Sequence, residues 1–249
     1  MCIIIDMTKS KQFETPKRRQ PFFSFIKKIL RPFYRKPKRF INLAGELKKK
    51  SIIVVNHSAK AGPMGMEMYF PLFTVKWGAH EMMGNYHSRR RYLRDVFYMQ
   101  KKGYGRVRAG FLAAFEAIFS KMIYKGVKVI KSYQDARLLR TLRESETVLN
   151  DNAAVLVFPE NSNGGYLEEM TEFHPGFVLL AQYYYQRTGE DVPVYPCYYH
   201  VKNRAVAVGE PMSVNKMLSS GFSKEQVAEI FKDKVNSLLY KFCRRKVKA

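Results

Sequence analysis

The chain has 249 residues, enough for one large α/β domain with a full core or for two small domains. Hydrophobic residues make up 46%, which places the chain among globular proteins and argues against wholesale disorder. The formal net charge of +23 calls for an anionic partner: nucleic acid, a membrane surface or an acidic substrate. Residues 1–50 hold 15 Lys/Arg against Asp6, Glu14 and Glu46, so about half of the excess lies there. Cys2, Cys197 and Cys243 are far apart and form neither a disulfide framework nor a zinc site, which fits a reducing, cytoplasmic setting. The opening MCIIID has too short an apolar run for a signal peptide. No stretch approaches the ~18–20 apolar residues that span a bilayer, so any membrane association is expected to be peripheral.

Taken in order, residues 8–20 are polar and basic. In PFFSFIKKILRPFYR, residues 21–35, Phe22, Phe25, Ile26, Ile29, Leu30 and Phe33 recur at helical spacing among Lys27, Lys28, Arg31 and Arg35. This pattern suits the interface of an anionic bilayer, although an ordinary amphipathic helix docked on a core would read the same. Residues 1–38 are therefore set apart as a basic, membrane-contacting segment, and 39–249 as the α/β domain.

Arg39 opens a short strand and a turn. Ile52–Val55 is a short apolar run that reads as a buried strand, and it delivers Asn56-His57 to the carboxyl end, where open α/β sheets place ligands. A helix broken at Pro71 and a strand near Phe73–Trp77 follow. Met64, Met66, Met68 and Met82 could line a flexible apolar site or simply fill core. Residues 84–108 form a second basic block, with eight Lys/Arg against Asp95. Phe111–Ile123 reads as an apolar helix, Gly126–Ile130 as a strand and Asp135–Asn150 as a helix. Ala153–Phe158 is a strand that ends in Pro159-Glu160-Asn161-Ser162-Asn163-Gly164-Gly165. Then come a helix over Pro175–Arg187 and strands at Val192–Tyr199 and Ala205–Val208. A Ser223-Lys-Glu-Gln226 capping box opens an amphipathic helix. Strands alternating with helices give a single α/β domain with a central, mostly parallel sheet flanked by helices.

Two stretches offer chemistry. A neutral imidazole at His57 could take a proton from an attacking hydroxyl. The loop after Phe158 could present backbone N–H groups and side-chain donors to an anion or a developing oxyanion. If the two strands are neighbours, the loops share a site. No nucleotide-binding glycine motif and no metal spacing is found, His80 and His87 included, so neither metal nor cofactor is expected. Nucleic-acid binding has the charge in its favour but no recognisable module, and is a third-ranked reading.

The order of blocks resembles the glycerolipid acyltransferase superfamily, which includes the lysophosphatidic acid acyltransferases. The blocks are Asn56-His57, Gly126–Ser132 (GVKVIKS), Phe158–Ser162 (FPENS), Pro175-Gly176-Phe177, Val192–Pro196 and Val208–Pro211, within residues 40–240. The resemblance implies a PlsC-like enzyme of phospholipid metabolism at the inner face of the membrane. It would transfer an acyl group from acyl-CoA or acyl carrier protein, as co-substrate, to a lipid hydroxyl. His57 would be the general base and Glu160 the second catalytic residue, organising the acceptor. Asn56, Lys60, Gly62, Lys131, Asn161, Ser162 and Asn163 would line the substrate site. The family's aspartate, five residues past the histidine, is Gly62 here, and its two arginine positions hold Asn163 and Ser132. Glu67, Glu81 and Asp95 are candidates to replace the aspartate. The alternative is a catalytically degenerate relative that still binds lipid or acyl thioester.

Overall fold

The computed structural model describes residues 13–17, 20–127 and 129–243. The expected basic stretch at 8–20 lies largely outside them, as do Cys2 and the end of the basic tail. Seven strands form one sheet: β1 (Arg39–Asn42), β2 (Ile52–Val55), β3 (Thr74–Ala79), β4 (Ile130–Ser132), β5 (Ala154–Val157), β6 (Val194–His200) and β7 (Ala205–Val208). Their order is β1-β7-β6-β2-β5-β3-β4. From β6 to β4 all neighbours are parallel, β6 and β7 form an antiparallel pair, and β1 runs parallel to β7. β2 and β5 are buried at every position, as all-apolar strands at the centre of a parallel sheet must be. They are direct neighbours, Ile52 opposite Val155.

Alternation of side chains along these strands feeds two cores. On one face Ile52, Val54, Val155 and Val157 pack with Leu149, Phe177, Leu180, Phe231 and Val235. These come from α5 (Leu138–Asn150), α6 (Gly176–Thr188) and α8 (Lys224–Leu238). On the other face Ile53, Val55 and Leu156 meet Tyr195, Tyr199 and Met66 of α2 (Ala61–Tyr69). The expected capping box is present: Ser223 accepts from Gln226 N–H and the Gln226 side chain accepts from Ser223 N–H.

Between β3 and β4 the chain builds a third cluster. It comprises a 3-10 turn (His80–Met83), α3 (Tyr86–Arg91), a π-helical segment (Tyr92–Gln100) and α4 (Arg106–Val127). Met82, Leu93, Phe97 and Tyr98 pack there on Ala109, Ala113 and Ala117. This corrects the reading of Gly126–Ile130 as a strand: the helix continues to Val127 and the strand is only Ile130–Ser132. Gly126 is explained by α1 (Pro21–Leu30), because a Cβ there would lie 2.4 Å from the ring of Phe23. A second tie holds α1 down. Lys27 on α1 and the buried Lys76 on β3 both pair with Glu67 on α2, at 3.0 and 2.5 Å. Burial alone would raise the Glu67 carboxyl, but Lys76 and Lys27 outweigh it and hold it below its ordinary value. α7 (Val214–Ser219) completes the helices.

Ser223→Ala removes one half of the reciprocal cap. It is expected to cost about 1 kcal/mol, seen in thermal unfolding as a fall in Tm of about 2–4 °C.

Candidate functional site

β2 and β5 end side by side, so the loops after Val55 and Val157 face each other. A hydrogen bond links them: the His57 backbone N–H donates to Glu160 Oε2 at 3.0 Å. Glu160 is 8% exposed. Burial lifts its carboxyl above the ordinary value, and the His57 N–H, the Lys101 ammonium and the Leu167 N–H offset this only in part. The carboxylate therefore grips the histidine's backbone rather than its ring.

The ring itself is walled by aromatics. Tyr166 stacks on it and Phe158 meets it edge-on, both with centroids 5.0 Å away. Its Nδ1 is buried with no hydrogen-bond partner among the described residues. Burial, reinforced by the Lys101 charge, pulls the imidazole down to about 3, with a backbone contact to Ala59 opposing them. His57 is thus neutral across the physiological range, and among the described residues no carboxylate pairs with its ring to steady its cation.

Gly62 is explained by the turn that precedes it. Ser58 and Ala59 both have positive φ, 45° and 54°, a region that costs a non-glycine residue of order 1–3 kcal/mol. Asn56 holds the turn. Its Nδ2 donates to Ser58 Oγ (2.7 Å) and to the Tyr199 carbonyl (3.1 Å), and its Oδ1 accepts from Tyr199 N–H (2.7 Å). The tight turn folds α2 back so closely that a Cβ at position 62 would sit 1.9 Å from the His57 carbonyl oxygen. An aspartate cannot occupy this position without moving the loop.

The three candidate substitutes do not reach the ring. Glu67 is held by Lys27 and Lys76, Glu81 by His80, and Asp95 by Arg94. The side chains expected to bind substrate are placed unevenly. Asn56 is committed to the backbone. Lys60 turns to α4, with Nζ 2.6 Å from Glu116 Oε2 and 4.9 Å from the Phe97 ring centroid. Asn161 donates to Glu172 Oε2 at 2.6 Å. Ser162 accepts from Lys101 Nζ at 2.6 Å, and Asn163 accepts from Gln100 Nε2 at 3.4 Å. Lys131 lies on β4, three places from β2 in the sheet. At ~4.8 Å per strand that is about 14 Å, so its strand does not border the His57–Glu160 pair.

Two residues at the site have no counterpart in the sequence reading. Lys101 pairs with Ser162, feels the Glu160 charge, and lies 5.4 Å from the Tyr166 ring centroid. Tyr166 covers the imidazole. Lys101 belongs to the second basic block and Tyr166 follows the glycines of the Glu160 loop, but nothing in their spacing singles them out. Among the described residues no group of three or more His, Cys, Asp or Glu is placed to hold a metal ion.

No family model matches the chain, and no curated protein matches it. A solved structure that is similar is the 1-acyl-sn-glycerophosphate (LPA) acyltransferase PlsC from Thermotoga maritima. It is 14% identical with a TM-score of 0.46, and the match covers 83% of this chain and 73% of that one.

Gly62→Asp is expected not to supply a working dyad. Overpacking against the His57 carbonyl costs about 1–3 kcal/mol or more, so the Tm falls. A Gly62→Asp protein with unchanged Tm would contradict the close packing. Lys101→Met is expected to let the His57 imidazole rise from about 3 while staying below the ordinary histidine value, since burial is the larger cause. Titration of the His57 ring by NMR measures both. In linkage terms a lowered histidine favours the folded state above its ordinary pKa. That contribution is lost as pH falls from there toward 3.

Proposed function

We propose that the protein is an acyltransferase of the glycerolipid type, moving an acyl group from a thioester donor to the hydroxyl of a lipid acceptor. The observation that carries this reading is the meeting of His57 and Glu160. Two motifs about a hundred residues apart, in the order the superfamily has them, join through a hydrogen bond at the carboxyl ends of adjacent parallel strands. In the proposed reaction the acceptor hydroxyl gives its proton to the neutral imidazole. Its oxygen attacks the thioester carbonyl, and the tetrahedral intermediate expels a thiolate, which takes the proton back. Glu160 acts as a positioning residue, fixing the backbone from which His57 projects. Lys101 offers positive charge to the oxyanion or to a phosphate, beside a loop in which the superfamily's arginine position is Asn163. Acyl-CoA and acyl carrier protein are the donors proposed, since both are anionic and the chain carries +23. Work at the inner face of a membrane belongs to the same proposal.

A second reading is favoured by the bare imidazole: a relative that binds lipid or acyl thioester without turning it over. Loss of the orienting carboxylate costs about 10⁴ in rate in the serine-protease triad, and a base with a pKa near 3 is a weak proton acceptor at neutral pH.

Labelled acyl-CoA and acyl carrier protein, offered with a panel of lipid alcohols, separate the two readings. Transfer by the wild type that falls at least a hundredfold in His57→Ala supports the enzyme. Thioester or lipid binding without transfer, unchanged by His57→Ala, supports the non-catalytic reading.

A further inference from the structure

α4 is built inside out. Its buried residues are small: Ala109, Ala113, Ala117, Ser120 and Gly126. Leu112 and Tyr124 pack on the third cluster, but six large apolar residues point away from the protein: Val107, Phe111, Phe115, Ile118, Phe119 and Met122 are all exposed, Phe111 at 78% and Phe115 at 63%. A stripe of this size, left bare, marks an interaction surface. Arg106, Arg108 and Lys121 stand exposed among these residues. α1, which meets α4 where Phe23 packs on Gly126, and the turn that follows it leave Phe25, Ile29 and Phe33 exposed beside Lys28, Arg31 and Arg35.

We propose that the outward face of α4, with α1 as a second anchor, docks on an anionic lipid bilayer and lies in its interfacial plane. The 22 residues of α4 extend about 33 Å, yet among the described residues no helix is long and apolar enough to cross a membrane. An apolar face rimmed by Lys and Arg has the character of helices that settle at the headgroup boundary, where basic side chains meet anionic headgroups while aromatics enter the acyl region. A second copy of the chain fits less well, because each copy carries +23 and would set its own Arg106, Arg108 and Lys121 against the same residues of its partner. On its protein side α4 carries Glu116, which binds Lys60 at 2.6 Å and Tyr98 Oη at 2.5 Å. The docking helix is thereby tied to the loop three residues past His57. The proposal deepens the acyltransferase reading by naming the surface from which a lipid acceptor would come, yet it is measured without turnover.

The test is co-sedimentation of the full chain with vesicles of phosphatidylcholine alone and of phosphatidylcholine with phosphatidylglycerol. The wild type is expected to bind the anionic vesicles more tightly than the neutral ones. Phe111→Asp combined with Phe115→Asp is expected to weaken that binding at least tenfold. Phe111→Ser with Phe115→Ser should weaken it less, and serves should the aspartate pair not fold; an unchanged Tm shows that either pair has kept the fold. Absence of wild-type binding, or unchanged binding by a folded double variant, overturns the proposal. So does a wild-type dimer in sedimentation that the same substitutions turn into a monomer, which would assign the face to a second copy. His57→Ala is expected to bind vesicles as the wild type does, so a failed acyl-transfer assay leaves the docking result standing.

Discussion

The hydrogen bond from the His57 N–H to the buried Glu160 carboxylate joins the two loops on which the site is built. It depends on β2 and β5 being neighbours in parallel register, so that both chains leave the sheet on the same side and at the same height. A carboxylate that is mostly buried is costly unless it is hydrogen-bonded. Its partners here are backbone N–H groups with an ammonium nearby, which offset part of the cost of burial, so the carboxylate is met by backbone rather than by the imidazole. The histidine is held in place by its backbone while its ring stays neutral.

The same geometry accounts for the departure at position 62. Asn56 spends its whole side chain bracing a left-handed turn at Ser58 and Ala59, and that turn presses α2 against the His57 carbonyl. In this setting glycine is the residue that fits, whatever it means for catalysis. The imidazole is enclosed instead by Phe158 and Tyr166, with the Lys101 charge acting on it. An aromatic wall and a neighbouring cation both favour the neutral ring. They prepare a hydrogen-bond acceptor at pH 7 and give little help to the cation that full proton abstraction would form.

The region between β3 and β4 gives the molecule a second organising theme. Its cluster packs large side chains from the π-helical segment and the 3-10 turn against the alanine stripe of α4, and leaves the phenylalanines of that helix outside. Lys60 and Glu116 cross from the histidine loop to this helix. The exposed apolar face and the site are therefore parts of one connected structure.

The sequence by itself determined the central strands, the parallel sheet and the helix opened at Ser223, and it made the His57 and Glu160 loops one site only on condition that their strands are neighbours, which the sheet order supplied. These rest on local signals: unbroken apolar runs, alternation of strand and helix, and a capping pattern whose partners lie three residues apart. Only the tertiary structure decided what the side chains do. Asn56 and Asn161 looked like ligands and are hydrogen-bonded within the fold. Lys131 fell on an edge strand. Glu67 and Asp95 were each taken by a nearby cation, and Glu81 by the neighbouring His80 ring. Lys101 and Tyr166 were brought to His57 by contacts that span more than forty residues, which no local pattern encodes. The helical period identified α4 as apolar, but composition could not say which side of it faces inward. Packing decided that, because only the alanine stripe lets the helix approach its neighbours closely, and the phenylalanines are left pointing outward.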